Sequence, residues 1–257
     1  MCGICGVLFY GDKFNFDITP YLIKNMFKTL LKNSESRGTD STGIALLSNN
    51  KITVYKDKKK AGLFLEDKQF NEILDSIELK SKFKAILGHV RSQTKGTFTN
   101  NRNNHPIVAG NVVGVHNGII SNDDELFKKY NLPRTGKVDS EIIFRLIDRG
   151  ITNGLSIIES VKDTLSEIVG TATGAFITAD NTRYVTLFKN THYKSLAIRL
   201  FKNSKIIAFA SSEYILDKSK PVAMLNKYTD LPMLNNEKLI IRIDLDNAGR
   251  IYIEHLN

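Results

Sequence analysis

Cysteine is scarce in this sequence, with only Cys2 and Cys5 among 257 residues. Two thiols cannot build the disulfide framework of a small secreted domain, nor a four-cysteine zinc site. Long apolar runs are absent too. Nothing approaches the ~18–20 residues that cross a bilayer, and the first residues lack a basic stretch followed by an apolar segment. A cytoplasmic protein with no membrane partner is expected. Only 5 prolines occur and no Pro/Gly/Ser-rich linker divides the chain, so residues 1–257 are expected to form a single domain. The net charge of +9 comes from lysines scattered along the chain, which disfavours a nucleic-acid partner, since those binders gather charge on one face and interleave aromatics. One local run, Lys56-Asp57-Lys58-Lys59-Lys60, reads as a solvated loop at the end of a hairpin.

What is present begins at the second residue. Cys2-Gly3-Ile4-Cys5-Gly6 leads directly into the apolar Val7-Leu8-Phe9-Tyr10. Removal of Met1 would put a thiol and a free α-amine on one residue, and that amine titrates near ~7.7–8.0, where it can act as both acid and base. The same residues fit C-x-x-C, but a redox pair of that kind usually opens a helix, and this one opens a strand. The opening alone leaves an incidental terminal cysteine and a catalytic one equally open.

Periodicity assigns a central strand to 3–10. A helix is expected from Thr19-Pro20 to Asn33, with Leu22, Ile23, Met26, Phe27, Leu30 and Leu31 on one face. Segments 43–48 and 51–56 form a hairpin across Asn49-Asn50, and 63–80 reads as a helix. Strands are expected at 84–90 and 111–116, and amphipathic helices at 139–148 and 155–169. Strands follow at 175–179, 184–188, 195–201 and 206–211, with a closing hairpin at 239–245 and 251–256. Strands, then helices, then antiparallel strands indicate an α+β fold with two packed sheets between helix layers.

Polar clusters punctuate these elements: Arg37-Gly38-Thr39-Asp40-Ser41-Thr42-Gly43, then Gly88-His89-Val90-Arg91-Ser92-Gln93-Thr94-Lys95-Gly96, Asn104-His105-Pro106, His116-Asn117-Gly118 and Val138-Asp139-Ser140-Glu141. In this order, behind a cysteine directly after Met1, they resemble the class II, N-terminal-nucleophile glutamine amidotransferase domain family. The resemblance runs from Cys2 through Glu141 and extends to about residue 220 through Phe209-Ala210-Ser211-Ser212-Glu213. It implies the four-layer αββα sandwich of N-terminal nucleophile hydrolases.

The roles implied by the resemblance fit the chemistry of side-chain amide hydrolysis, which needs a nucleophile, oxyanion donors, a proton for ammonia and a grip on the amino-acid zwitterion. Cys2 is the implied nucleophile, with its α-amine as acid and base. Asn117 and Gly118 are the implied oxyanion donors. Arg91 would hold the glutamine α-carboxylate as a bidentate pair, assisted by Thr94, and Asp139 the α-ammonium. Arg37, Gly38 and Gly3 are expected to brace the nucleophile strand. Their plainer readings are a surface arginine at 91, a loop threonine at 94, a helix cap at Asp139 and a turn at Asn117-Gly118. His89, His105 and His116 are expected to make structural hydrogen bonds. Neither a metal site nor a cofactor is indicated, because no carboxylate or cysteine stands at ligand spacing from the histidines.

The expected activity is a stand-alone glutaminase that makes glutamate and ammonia from L-glutamine through a Cys2 thioester and passes ammonia to a separate synthase. Two rivals remain: an amidohydrolase of the same fold acting on another γ-glutamyl or amide substrate, and a catalytically idle regulatory subunit. Ser92 and Lys95 depart from the family pattern, which bears on the rim of the glutamine pocket. Cys5 stands where relatives carry an apolar or small residue and is expected to be a buried, inert thiol.

Overall fold

The computed structural model describes residues 1–11, 19–78, 82–191, 196–219, 228–231, 238–246 and 250–256. Strand β1 (Gly3–Phe9) is buried along its whole length. A strand covered on both faces and paired on both edges reads as an unbroken apolar run. Its neighbours in the first sheet are β4 (Phe83–Arg91) on one side and β10 (Ile206–Ala210) on the other, both antiparallel. Beyond β4 lies the hairpin β2 (Ser41–Ser48) and β3 (Lys51–Asp57), turned by Asn49 and Asn50 with φ of 54° and 57°. Beyond β10 come β9 (Ala197–Phe201) and β11 (Thr229–Asp230).

The second sheet follows the order β13 (Ile251–His255), β12 (Leu239–Asp244), β8 (Tyr184–Lys189), β7 (Gly170–Thr178), β6 (Val112–Ile120), β5 (Ile107–Ala109). Three apolar layers hold the molecule together. Between the sheets, Ile4 and Leu8 meet Val115, Ala175, Leu187 and Ile241. The opposite face of β1, with Cys5, Val7 and Phe9, packs on α1 (Pro20–Ser34), α2 (Ala61–Phe64) and α3 (Lys68–Asp75). On the far side, Phe144, Ile147 and Val161 of α5 (Glu141–Thr152) and α6 (Ile157–Glu167) cover the second sheet. This is the expected αββα sandwich.

Local chemistry explains the well-placed elements. Thr19 Oγ1 accepts the Leu22 N–H and Pro20 fills the first helical position of α1. Ser156 and Glu159 form a reciprocal capping box at the start of α6. Other expectations need correction. The helix expected at 63–80 is two helices, because Asp67 Oδ1 accepts the Gln69 and Phe70 N–H groups and starts α3 afresh; residues 79–80 and the start of the strand expected at 195 lie outside the described residues. The strand expected at 111–116 runs on to Ile120, so Asn117-Gly118 is a paired strand segment and not a turn. Helices α4 (Asp123–Lys129) and α7 (Glu213–Lys218) were not expected. The basic run is not simply a solvated loop either. Lys56 Nζ reaches inward to the carbonyls of Asn104 at 2.6 Å and Pro106 at 2.8 Å, and Lys59 is tied to Asp57 and Asp67.

Candidate active site

The first strand carries Cys2 to the gap between the sheets. Ile4 and Leu8 face the inter-sheet layer while Cys5 faces the helices; by the period-two alternation Cys2 shares the face of Ile4. Two long-range contacts fix this end of the chain. Arg37 Nε donates to the Cys2 carbonyl at 3.0 Å, and the Ile4 N–H donates to Ser211 Oγ at 2.8 Å. The Cys2 thiol lies 3.4 Å from both the carbonyl and the N–H of Ser92. Burial pushes this thiol up; the Ser92 N–H, the chain α-amine and Arg91 oppose the rise, and Asp139 adds to it. Cys5 is fully buried, hydrogen-bonded to Ser34 and pushed up to about 12, as befits an inert thiol.

Arg91 is not a surface residue. It is the last residue of β4, 1% exposed. Its Nη1 donates to Asn104 Oδ1 at 2.7 Å, and its Nη2 donates to the carbonyls of Lys95 at 2.9 Å and Gly96 at 2.6 Å. Three of the five guanidinium N–H donors are therefore used within the protein, and Nη2 is saturated. The open bidentate fork expected from the sequence is not preformed; Nε–H and one Nη1–H remain. Gly38 packs on the Arg91 backbone, where a Cβ would lie 2.5 Å from the Arg91 carbonyl oxygen.

Asp139 is 1% exposed, and its Oδ2 accepts the Ile120 N–H at 2.8 Å. It does not cap α5 with its side chain, which corrects that reading; Ser140 occupies the cap position, and its Oγ lies 2.7 Å from His116 Nδ1. The Cys2 thiol, Arg91 and Asp139 are near enough to perturb one another electrostatically. Thr94 lies exposed in the loop after Arg91.

Asn117 and Gly118 sit near the end of β6, opposite Thr173 and Ala172 of β7. Asn117 is 1% exposed, and its side-chain Nδ2 has no hydrogen-bond partner among the described residues. A buried amide donor left empty is costly, and such groups are where a ligand oxygen is expected. No side chain fits at Gly118, where a Cβ would lie 1.8 Å from the Thr171 carbonyl oxygen.

Behind these groups stand the three histidines. His89 Nε2 bonds the His116 carbonyl at 3.0 Å, and His116 bonds Ser140 and Thr171. His105 differs from the expectation. Its ring stacks on His89 at 4.0 Å, yet neither ring nitrogen finds a hydrogen-bond partner among the described residues. Burial lowers His89 to about 3 and His105 in the same direction, so both rings are neutral. No cluster of three metal-ligating side chains occurs among the described residues.

Sequence reasoning assigned no role to Asn104 or Lys56. Asn104 takes one Arg91 donor, and Lys56 in turn holds the Asn104 carbonyl. Asn104 was visible within the Asn104-His105-Pro106 cluster; nothing local marks Lys56.

No protein-family model matches the chain. Among curated proteins, the glutamine–fructose-6-phosphate aminotransferase of Bacillus cereus is 26% identical over 245 residues, covering 94% of this chain and 37% of that protein. The 7-cyano-7-deazaguanine synthase of Saccharolobus solfataricus is 27% identical over 260 residues, covering 98% of this chain and 52% of that protein. A solved structure of the glutamine phosphoribosylpyrophosphate amidotransferase of Bacillus subtilis superimposes with a TM-score of 0.66 at 19% identity, over 99% of this chain and 49% of its own. The chain thus spans about half or less of each relative. The structural likeness shows the fold, an antiparallel double-sheet sandwich flanked by helices.

Proposed function

This chain belongs to the class II, N-terminal-nucleophile glutamine amidotransferase domain family, and from that premise we propose that it hydrolyses the side-chain amide of L-glutamine to glutamate and ammonia. Cys2 Sγ attacks the amide carbon once its α-amine is free to take the thiol proton. The carbonyl π pair moves to oxygen, held by the Asn117 side chain and the Gly118 N–H. As the pair returns, the C–N bond breaks and the nitrogen leaves as ammonia with the proton from the α-amine. Water then cleaves the thioester. Arg91 and Thr94 take the α-carboxylate and Asp139 the α-ammonium, while Arg37 and Gly38 brace the strand. Ammonia passes to an acceptor site in a synthase unit outside these 257 residues, whether on another chain or not.

The observation that carries this reading is the empty Asn117 Nδ2, buried on the inter-sheet face that Cys2 shares. The test is glutamate release by protein that begins at Cys2. Cys2→Ala should abolish it and Cys5→Ala should leave most of it; equal losses would return the pair to a redox role. Addition of the cognate synthase should raise the rate. One observation favours a second reading, an amidohydrolase for another γ-glutamyl or amide substrate: both Nη2 hydrogens of Arg91 are already engaged. Faster turnover of a γ-glutamyl amide lacking the free α-carboxylate than of glutamine would establish it.

A further inference from the structure

The buried polar group at Asn117 has neighbours along the second sheet. Asn117 lies opposite Thr173 on β7, and Thr173 lies opposite Lys189 on β8. Two positions along the same strands, Val115, Ala175 and Leu187 are likewise in register and belong to the inter-sheet core. Side chains alternate with period two, so Asn117, Thr173 and Lys189 face that same layer, as does Cys2 from the first sheet. A layer otherwise packed with aliphatic side chains therefore holds a polar row at the end where β1 begins. Thr173 is 0% exposed.

Two atoms of this row lack a hydrogen-bond partner among the described residues, Asn117 Nδ2 and Thr173 Oγ1. An unpaired hydroxyl in a core costs stability, and buried polar groups are almost always satisfied. Residues directly opposed in an antiparallel pair have Cβ atoms about 4.5–5.5 Å apart, so a single acceptor atom fits between the two side chains. A hydroxyl both donates and accepts. One orientation of the Thr173 hydroxyl turns its proton toward Asn117. The row then offers two donors to one oxygen.

We propose that Thr173 is a further catalytic residue, donating through Oγ1 to the same carbonyl oxygen that Asn117 holds; this rests on the reading of the chain as a Cys2-dependent glutamine hydrolase. When Cys2 Sγ bonds to the amide carbon and the π pair moves to oxygen, the two side-chain donors meet the growing charge. Thr173 keeps its proton throughout. The thiol proton travels by way of the α-amine to the departing nitrogen.

The test compares wild type, Thr173→Val and Thr173→Ser, all beginning at Cys2, for steady-state glutamate release and thermal unfolding. Loss of a preorganised oxyanion donor elsewhere costs about 10²–10³ in kcat; for Thr173→Val a fall of about 10- to 100-fold is expected, with KM for glutamine within about 3-fold. Thr173→Ser should restore most of kcat. The unfolding midpoint of Thr173→Val should not drop, because the change removes an unsatisfied group from the core. Wild-type kcat in Thr173→Val would overturn the proposal and leave the roles of Cys2 and Asn117 standing. A loss of rate that serine fails to rescue and that tracks a lowered midpoint would also overturn it, since the hydroxyl would then serve only packing. If the wild type itself releases no glutamate, the hydrolase reading falls and this proposal with it.

Discussion

Arg37 Nε donates to the Cys2 carbonyl oxygen at 3.0 Å. The bond joins the short helical turn after α1 to Cys2, the proposed nucleophile, across 35 positions of sequence. It acts on the backbone of Cys2, so its effect on chemistry is through placement. Arg37→Met should lower kcat for glutamate release by about 10-fold or more while KM changes little, since small misplacements of reacting groups are costly. A variant with raised KM and unchanged kcat would assign Arg37 to substrate binding instead.

Arg91 and Asp139 are both buried and both felt by the Cys2 thiol. If they grip opposite ends of the substrate zwitterion, Arg91→Lys and Asp139→Asn should each weaken glutamine binding by about 1.5–3 kcal/mol, the scale of a lost hydrogen bond to a charged group. The Asp139→Asn variant is the cleaner of the two, because its amide oxygen can still accept the Ile120 N–H. Unchanged KM in both would move the substrate recognition elsewhere.

Lys95 stands at the rim of this site. Its Nζ lies 2.7 and 2.8 Å from the Asp123 carboxylate oxygens and 2.8 Å from Asp124, and Arg134 binds the same two aspartates. The network fastens the loop whose Lys95 and Gly96 carbonyls orient Arg91. Asp123 is buried and keeps Arg134 as a partner when Lys95 is removed, so Lys95→Met should leave the fold intact. It should raise KM for glutamine about 3- to 10-fold through a looser Arg91. A Lys95→Met enzyme with wild-type KM at both low and high salt would show that the fastening has no bearing on binding.

The parts of this structure readable from sequence are those in which one local signal decides. Thr19 and Pro20 mark the start of α1, and Asn49-Asn50 marks the β2–β3 turn, because cap and turn chemistry act over a few residues. Asn117-Gly118 carries an equally good local turn signal, yet pairing with Thr173 and Ala172 overrides it. Asp139 has the composition of a cap, and a partner 19 residues back takes it instead. Lys56 looked solvated because nothing near it in sequence announces the Asn104 and Pro106 carbonyls. Cys2, Arg91 and Asn117 were legible as a group only through family resemblance; no periodicity would have brought them to one layer.

The stacked, buried rings of His89 and His105 should make the fold sensitive to acid. Burial holds His89 at about 3 and lowers His105 as well, whereas an unfolded chain binds a proton at an ordinary histidine near ~6.5. The native state therefore keeps these rings neutral while the unfolded state takes up protons. Stability is fully present above the unfolded value and is lost progressively as pH falls from about 6.5 toward 3. Between pH 7 and 5 the loss should be about 2 kcal/mol for His89, with a loss of the same sign from His105. Most carboxylates remain ionised in that window, so the histidines dominate the slope. Urea unfolding at pH 7, 6 and 5 should show a midpoint that falls with each step. A midpoint that is flat from pH 7 to 5 would mean that the two rings accept protons in the folded protein, and that the stacked pair is open to solvent.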